Sequence, residues 1–132
     1  MSWLEQAREL AAQGQVGSAI DLLERAVAMG EEDAELCKEI ARMCLGINEV
    51  RAFANWCHEA IRINPADGEP YLMMARELVA KRRWVEAAET LEHALRCAVL
   101  PQSMLVEANE LLARVEIEVS HLQQHRPGFS NL

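Results

Sequence analysis

One spacing recurs along this sequence and constrains its fold more than any other feature. Residues of similar type recur every 34 positions, in a register without gaps. The matching triplets are Trp3, Cys37, Tyr71; Ala7, Ala41, Ala75; Arg8, Arg42, Arg76; Leu10, Cys44, Leu78; Ala19, Phe53, Ala87; Leu23, Cys57, Leu91; and Ala26, Ala60, Ala94. A fixed period of roughly 20 to 50 residues is the signature of a repeat architecture, in which each unit packs on its neighbours. The sequence therefore predicts an array of short repeats.

Within each repeat, the spacing of apolar residues predicts amphipathic helices. Apolar residues recur at intervals of three, four and seven, as in Leu36, Ile40, Met43, Cys44 and Ile47, which is typical of α-helices and not of strands. Glycine and proline interrupt the pattern where helical hairpins turn, as at Gly14, Gly46 and Pro65. We predict helices at about 2–13, 16–29, 33–45, 49–63, 69–81, 84–98 and 102–123.

The repeat resembles the tetratricopeptide repeat (TPR), a helix–turn–helix unit of 34 residues whose signature runs W-x₂-L-G-x₂-Y, then A-x₃-F, then A and P. The third unit carries it as Tyr71-x₂-Met74-Ala75-x₂-Leu78, then Ala87-x₃-Leu91 and Ala94. Gln6 and Phe53 depart from the signature. The resemblance covers about residues 2–101, and it implies an all-α, right-handed α-solenoid of three TPR-like helix–turn–helix repeats with a capping helix.

At 132 residues the chain has the size of one domain. We expect a single TPR domain over 1–124, with repeats at about 1–33, 34–67 and 68–101, a capping helix at about 102–123 and a short C-terminal tail at 125–132. The last helix carries a long apolar stripe. Its distal part, from Val115 to Leu122, either packs on its own repeat or contacts another chain.

The charge balance disfavours several classes of partner. Thirteen Lys and Arg residues against 21 Asp and Glu residues give a net charge of −8, which repels phosphate backbones and anionic membranes. The longest uncharged stretch, 10–20, is far shorter than the roughly 20 apolar residues that span a bilayer. The N-terminus lacks the pattern of a signal peptide. We therefore expect a cytoplasmic protein that does not insert into membranes, with its four cysteines as free thiols.

Motifs for catalysis are absent from the sequence, which has no phosphate-binding glycine loop, no HExxH pair and no nucleophile elbow. We predict that it is not an enzyme and needs no cofactor or metal. Cys37, Cys44, Cys57 and His58 could in principle bind a metal, but core positions of the repeat explain the cysteines better. The basic cluster Lys81–Trp84 could contact nucleic acid; a basic turn followed by a core tryptophan is the simpler interpretation.

In the family, the first helices of successive repeats line a concave groove that binds peptide segments of partner proteins. The resemblance places Arg8, Arg42 and Arg76 in this groove, and Lys38 lies on the same helix face as Arg42. Arginine binds carboxylates through its planar fork. Five apolar residues occupy other positions that the family exposes there: Leu4, Leu45, Leu72, Met73 and Val79.

These groove residues predict a partner segment that carries both acidic and apolar side chains. The alternative is that the arginines pair with the chain's own acids as a solvated network. The candidates for such pairing are Glu5, Glu9, Glu35, Glu39 and Glu77. The family's carboxylate clamp for heat-shock chaperone tails is not matched, because its positions hold Leu4, Arg8, Arg42, Glu69 and Met73. We therefore do not expect binding to those tails.

The predicted function is that of a non-catalytic protein–protein interaction module, an adaptor or scaffold that holds a partner segment in the groove. One alternative is a structural protein, possible as a homo-oligomer, that self-assembles through the last helix or the convex face. Another is a small cytoplasmic chaperone of the kind that holds export substrates. The tail, with Phe129 and Leu132, could also occupy the groove. The sequence does not identify the partner.

Overall fold

A computed structural model describes residues 2–124, and these form seven α-helices. The helices are α1 (Trp3–Ala12), α2 (Val16–Ala28), α3 (Ala34–Gly46), α4 (Val50–Ile63), α5 (Glu69–Ala80), α6 (Trp84–Cys97) and α7 (Gln102–Gln124). Each predicted helix is present, and its ends agree to within one residue, which is the usual uncertainty of a helix boundary. The prediction of an all-α fold is confirmed. The predicted tail, 125–132, lies outside the described residues.

The helices fall into two compact units, which meet in the sequence between Pro65 and Ala66. In the first unit, α1 packs on α2, α2 on α3, and α3 on α4. In the second unit, α5 packs on α6, and α7 packs on both α6 and α5. Each helical hairpin is thus built from helices that follow one another in the chain, as expected for a helical repeat.

The turn inside each repeat has the same backbone geometry. Gly14, Asn48 and Arg82 stand 34 residues apart, and all three have positive φ angles, of 83°, 64° and 58°. The N–H of the residue after each of them donates to a carbonyl five residues back: Gln15 to Leu10 at 2.9 Å, Glu49 to Cys44 at 2.8 Å and Arg83 to Leu78 at 2.9 Å. This hydrogen bond is that of a Schellman motif, which closes a helix through one left-handed residue. The 34-residue register therefore holds at the level of single backbone bonds.

Residues at equivalent positions of the 34-residue repeat form much of the core. Ala7, Ala41 and Ala75 are fully buried, and so are Leu23, Cys57 and Leu91 at another matched position. Phe53 replaces an alanine and is nevertheless 2% exposed. Small residues at such points let the helices of a hairpin approach closely, and large apolar residues fill the space around them. The predicted packing positions are confirmed.

In the second unit, α7 covers the core of the third repeat. A buried cluster joins α5, α6 and α7, and its members are Leu72, Ala75, Val79, Ala87, Leu91, Ala108 and Val115. Val119 packs against this cluster, whereas Ile117 and Leu122 are more than half exposed. Of the two interpretations of the distal helix, the structure supports packing on its own repeat as far as Val119.

A short backbone connection ties the start of α5 to the end of α6. The Val99 N–H donates to the Ala66 carbonyl at 2.7 Å, and the Gly68 N–H donates to the Val99 carbonyl at 3.2 Å. These two bonds form a parallel bridge between Asp67 and Val99. Gly68 is buried, and a Cβ atom there would lie 2.3 Å from Leu100 Cδ2, so the close approach requires glycine.

Candidate interaction site

In the first unit, two of the three predicted arginines meet at one carboxylate. Arg8 Nε, on α1, donates to Glu39 Oε1 at 3.2 Å, and Arg42 Nη1, on α3, donates to Glu39 Oε2 at 3.0 Å. The Glu39 side chain is only 13% exposed, whereas the arginine side chains are 58% and 42% exposed. One largely buried carboxylate therefore holds two exposed guanidinium groups.

In the second unit, Arg76 on α5 binds Glu107 on α7 through a bidentate pair. Its Nε and Nη2 atoms donate to the two carboxylate oxygens, each at 2.7 Å. The hydrogen bonds to Arg76 lower the pKa of Glu107 below its ordinary value, and the same bonds raise the pKa of Arg76. The bidentate geometry is the one in which arginine recognises carboxylates most specifically.

The two arginine–glutamate pairs share one sequence offset. Arg8 and Glu39 are 31 residues apart, and so are Arg76 and Glu107. The third arginine, Arg42, has a methionine at the corresponding position, Met73, and it pairs with Glu39 of its own helix. In the structure, therefore, the three arginines pair with the chain's own acids, which was the alternative that the sequence raised. The glutamates involved are Glu39 and Glu107.

Lys38 does not fit its predicted place on an open surface. The residue is 5% exposed, and its Nζ atom lies 2.7 Å from Glu35 Oε1. Its stem is buried while its charge meets a carboxylate that is 58% exposed. Helix periodicity assigns Lys38 to the face of Arg42, but burial of the aliphatic stem could not be predicted from it.

The predicted exposure of the apolar groove residues is wrong for three of the five. Leu72, Met73 and Val79 are buried, at 1%, 7% and 6% exposed. Leu72 and Val79 belong to the core cluster because α7 packs over that side of α5. Leu4 and Leu45 are partly exposed, so they alone keep the accessibility that was expected of the apolar set.

The cysteines that could have bound a metal are buried in the first unit. Burial raises the pKa of Cys37 to about 11 and that of Cys57 to about 12, and it also raises the pKa of Cys44. A metal ligand must be a thiolate, which these surroundings disfavour. Among residues 2–124, no group of three or more His, Cys, Asp or Glu side chains could hold a metal ion. The thiols serve as small core side chains.

The basic residues at the α5–α6 turn pair with different glutamates. Lys81 pairs with Glu77 at 3.4 Å, and Arg83 pairs with Glu86 at 2.6 Å. Trp84 packs against the core cluster of the second unit, as the repeat register predicted. Between the two paired residues stands Arg82, at the position of positive φ.

Sequence reasoning missed a pocket in the second unit. It has a volume of about 420 Å³, and its lining residues are Arg76, Val79, Ala80, Arg82, Leu111 and Arg114. The Arg114 guanidinium carbon lies 5.8 Å from the ring centroid of Trp84. The one available signal was the turn position, where an arginine replaces the glycine and asparagine of the first two repeats.

The described helices include none that is both long and apolar enough to cross a bilayer. The longest of them, α7, has 23 residues, and charged residues stand between the apolar ones along its sequence.

Solved structures show the same fold at low sequence identity. The P58(IPK) TPR domain matches 92% of this chain with a TM-score of 0.75 and 19% identity. The first TPR domain of Spaghetti (RPAP3), bound to the HSP90 peptide SRMEEVD, matches 88% of this chain and 91% of its own, with a TM-score of 0.68 and 17% identity. The TPR2B domain of yeast Sti1, in complex with an Hsp70 peptide, also has a TM-score of 0.68, at 16% identity over 88% of this chain and 94% of its own.

The match spans only 33% of the P58(IPK) chain, so the likeness concerns part of that protein. No family model matches the sequence, and neither does any curated protein. The 34-residue register, the repeated turns and the superpositions agree with one another, and together they identify the chain as a TPR-like helical-repeat protein.

Proposed function

We propose that this protein is a non-catalytic interaction module that binds an acidic segment of a partner protein in the cytoplasm. Arg8, Arg42 and Arg76 supply the recognition of carboxylates, and the partly exposed Leu4 and Leu45 supply apolar contact. The observation that carries the proposal is that all three arginines, at one position of the repeat, already bind carboxylates of the chain. The fold is one in which two of the similar domains were solved with peptides bound.

The internal ion pairs are compatible with exchange for a ligand. Exposed arginine–carboxylate pairs contribute only about 0 to 1 kcal/mol to stability, and the three arginine side chains are 42% to 58% exposed. A carboxylate of a partner segment can therefore replace Glu107 on Arg76 at little cost. At Arg8 and Arg42 it can join Glu39 on the exposed guanidinium groups. The recurrence of arginine at the three repeat positions fits this role better than a role in stability.

The proposed partner is not a heat-shock chaperone tail. The peptide in the Spaghetti complex ends in EEVD, and the family grips such tails through lysine, asparagine and arginine. This chain keeps basic character at only two of the five clamp positions, Arg8 and Arg42, while Met73, at a third, is buried. An internal acidic segment fits the remaining arginines without the terminal carboxylate that the clamp requires.

Affinity capture with matched charge variants tests the proposal. The test variant replaces Arg8, Arg42 and Arg76 by glutamine, which removes the forks without introducing repulsion against Glu39 and Glu107. The control variant replaces three exposed arginines of the second helices by glutamine: Arg25, Arg51 and Arg96. Both variants lower the net charge by three, so a general effect of charge acts on both alike.

Lysate of the source cells is passed over each immobilised protein, and retained proteins are identified by mass spectrometry. We expect a partner that the wild type and the control retain and the test variant loses. Circular dichroism checks that all three proteins are equally helical. Equal retention by the two variants would refute binding through the arginines of the first helices.

A further inference from the structure

The pocket of the second unit lies beside one of the proposed binding arginines but extends beyond it. Arg76 and Val79 of α5 form one wall, Leu111 and Arg114 of α7 form another, and Arg82 closes it at the α5–α6 turn. Its volume of about 420 Å³ leaves room for side chains of a partner segment. Three arginines and two larger apolar residues, Val79 and Leu111, therefore line one pocket.

Arg82 is held in a backbone conformation that its residue type disfavours. Its φ of 58° lies in the left-handed region, where a side chain with a Cβ atom crowds the backbone. The equivalent residues Gly14 and Asn48 are the types that adopt this conformation readily. Since the first two repeats form the same turn without arginine, the fold does not need one here. A residue in strained backbone that the fold does not require points to a function.

The charges around the pocket are unbalanced. Arg76 forms an ion pair with Glu107, but within residues 2–124 no acidic side chain forms an ion pair with Arg82 or Arg114. Lys81 and Arg83, on either side of Arg82, both have glutamate partners. The chain as a whole carries −8, so a local excess of positive charge in a concave, partly apolar site attracts anionic ligands selectively.

Arg114 is positioned for the same task. Its guanidinium group stacks at 5.8 Å over Trp84, which is itself packed against the core cluster. Such a cation–π contact orients the side chain while leaving its N–H groups available for hydrogen bonds. The bidentate pair of Arg76 with Glu107, at 2.7 Å and 2.7 Å, shows how a carboxylate is held at the edge of this pocket.

We propose that this pocket binds a carboxylate side chain of the partner segment between Arg82 and Arg114, with a neighbouring apolar side chain against Val79 and Leu111. This proposal rests on the proposed function, because it names the part of the partner that the second unit recognises. It adds two arginines, from the turn and from the capping helix, that lie outside the repeated first-helix position.

Nuclear magnetic resonance titration of the ¹⁵N-labelled full chain tests the pocket directly. The probe is a blocked peptide of seven residues in which leucine and glutamate alternate. One control peptide has glutamine in place of glutamate, and a second has phosphoserine there. We expect the glutamate peptide to shift backbone signals of 76–84 and 107–115, and the glutamine peptide to leave them unchanged. A phosphoserine peptide that binds ten-fold more tightly would overturn the assignment of a carboxylate as the ligand.

Two variants separate recognition from general attraction. Arg82→Gly installs the residue of the first repeat, so the fold is kept, and we expect the affinity for the glutamate peptide to fall by roughly ten-fold or more through the lost charge-assisted hydrogen bonds. Lys81→Gln removes one positive charge from the same turn, and we expect it to lower the affinity by less than about two-fold. Arg114→Gln is a second test of the pocket and leaves the turn intact.

The outcomes distinguish this proposal from the proposed function. If Arg82→Gly and Lys81→Gln weaken binding equally, the attraction is general and the pocket is refuted. Shifts confined to α1 and α3 would also refute the pocket, while leaving peptide binding by the first helices standing. A peptide that shifts no signal overturns the pocket, and the proposed function is then judged by the capture experiment with its own variants.

Discussion

Arg76 and Glu107 form a bidentate ion pair between α5 and α7, with both nitrogen–oxygen distances at 2.7 Å. The pair repeats the offset of Arg8 and Glu39, although α7 is not the first helix of a fourth repeat. The capping helix therefore presents to the last repeat the same acidic group that α3 presents to the first. This relation gives the end of the array an electrostatic contact that the periodic sequence alone did not predict.

Removal of the Glu107 charge is expected to have a small, pH-dependent cost. Glu107→Gln should lower the free energy of unfolding by about 0.5 kcal/mol at pH 7, since both side chains are partly exposed. The pKa of Glu107 is lower in the folded chain than its ordinary value of 4.5, so its contribution is complete above that value and is lost as the pH falls through the folded pKa.

Urea unfolding of wild type and variant between pH 7 and pH 3 measures this contribution. The difference between the two proteins should begin to shrink near pH 4.5 and vanish at lower pH. A difference that stays constant across the range would show that the glutamate acts through packing and not through its charge.

The capping helix should contribute to the stability of the second unit through Val115. This residue is fully buried in the cluster of α5, α6 and α7, so Val115→Ala should cost about 1 to 3 kcal/mol through lost contacts and a residual cavity. Leu122→Ala, on the same helix at a position that is 55% exposed, should change stability by less than about 0.5 kcal/mol. Equal costs in denaturant titrations would contradict this account of how α7 packs.

Gly68, which precedes α5 and bonds to Val99 after α6, should be destabilised by any larger residue. A Cβ atom there would meet Leu100 Cδ2 at 2.3 Å and Cγ at 2.7 Å, so Gly68→Ala should cost about 1 to 3 kcal/mol through overpacking. Gly17, within α2, has nothing within 4 Å of such an atom. Gly17→Ala should therefore stabilise the protein by about 0.5 to 1 kcal/mol. Thermal unfolding of both variants provides the measurement, and opposite signs are expected.

The thiols should differ sharply in reactivity. Cys97 is exposed, whereas Cys37, Cys44 and Cys57 are buried and have raised pKa values. Since the thiolate is the nucleophile, an aromatic disulfide reagent at pH 8 should modify Cys97 within minutes and the other three only on unfolding. Mass spectrometry locates the modified residue, with Cys97→Ser as the control. Rapid native modification of Cys57 would mean that the core of the first unit opens readily.

The sequence was sufficient for the helices and for most of the core, because one register assigns the same packing role to equivalent residues in all three repeats. The packing of α7 could not be predicted in the same way, because the 34-residue register does not continue through that helix. The alanines at 7, 41 and 75 predict a small buried residue at 109, but the position holds Asn109, and the fully buried residue is Ala108. How α7 would cover Leu72 and Val79 could not be inferred from a pattern that α7 does not follow.

The charged site was predicted in part for a similar reason. The arginine triplet was visible because it repeats, whereas Arg82 and Arg114 come together only through the turn geometry and the packing of α7. Neither has an arginine at an equivalent position in another repeat. The positions equivalent to Arg82 hold Gly14 and Asn48, and Arg114 belongs to the helix outside the periodic part. A pocket lined by residues that do not recur with the repeat could therefore not be predicted from the 34-residue period.

The backbone bridge at Val99 has a mechanical consequence. The bonds from Val99 N to the Ala66 carbonyl and from Gly68 N to the Val99 carbonyl join two points between which the whole of α5, its turn and α6 are threaded. We expect tension applied to the chain on either side of this hairpin to load those two bonds before it reaches the helices, so the hairpin should extend only after the bridge has broken.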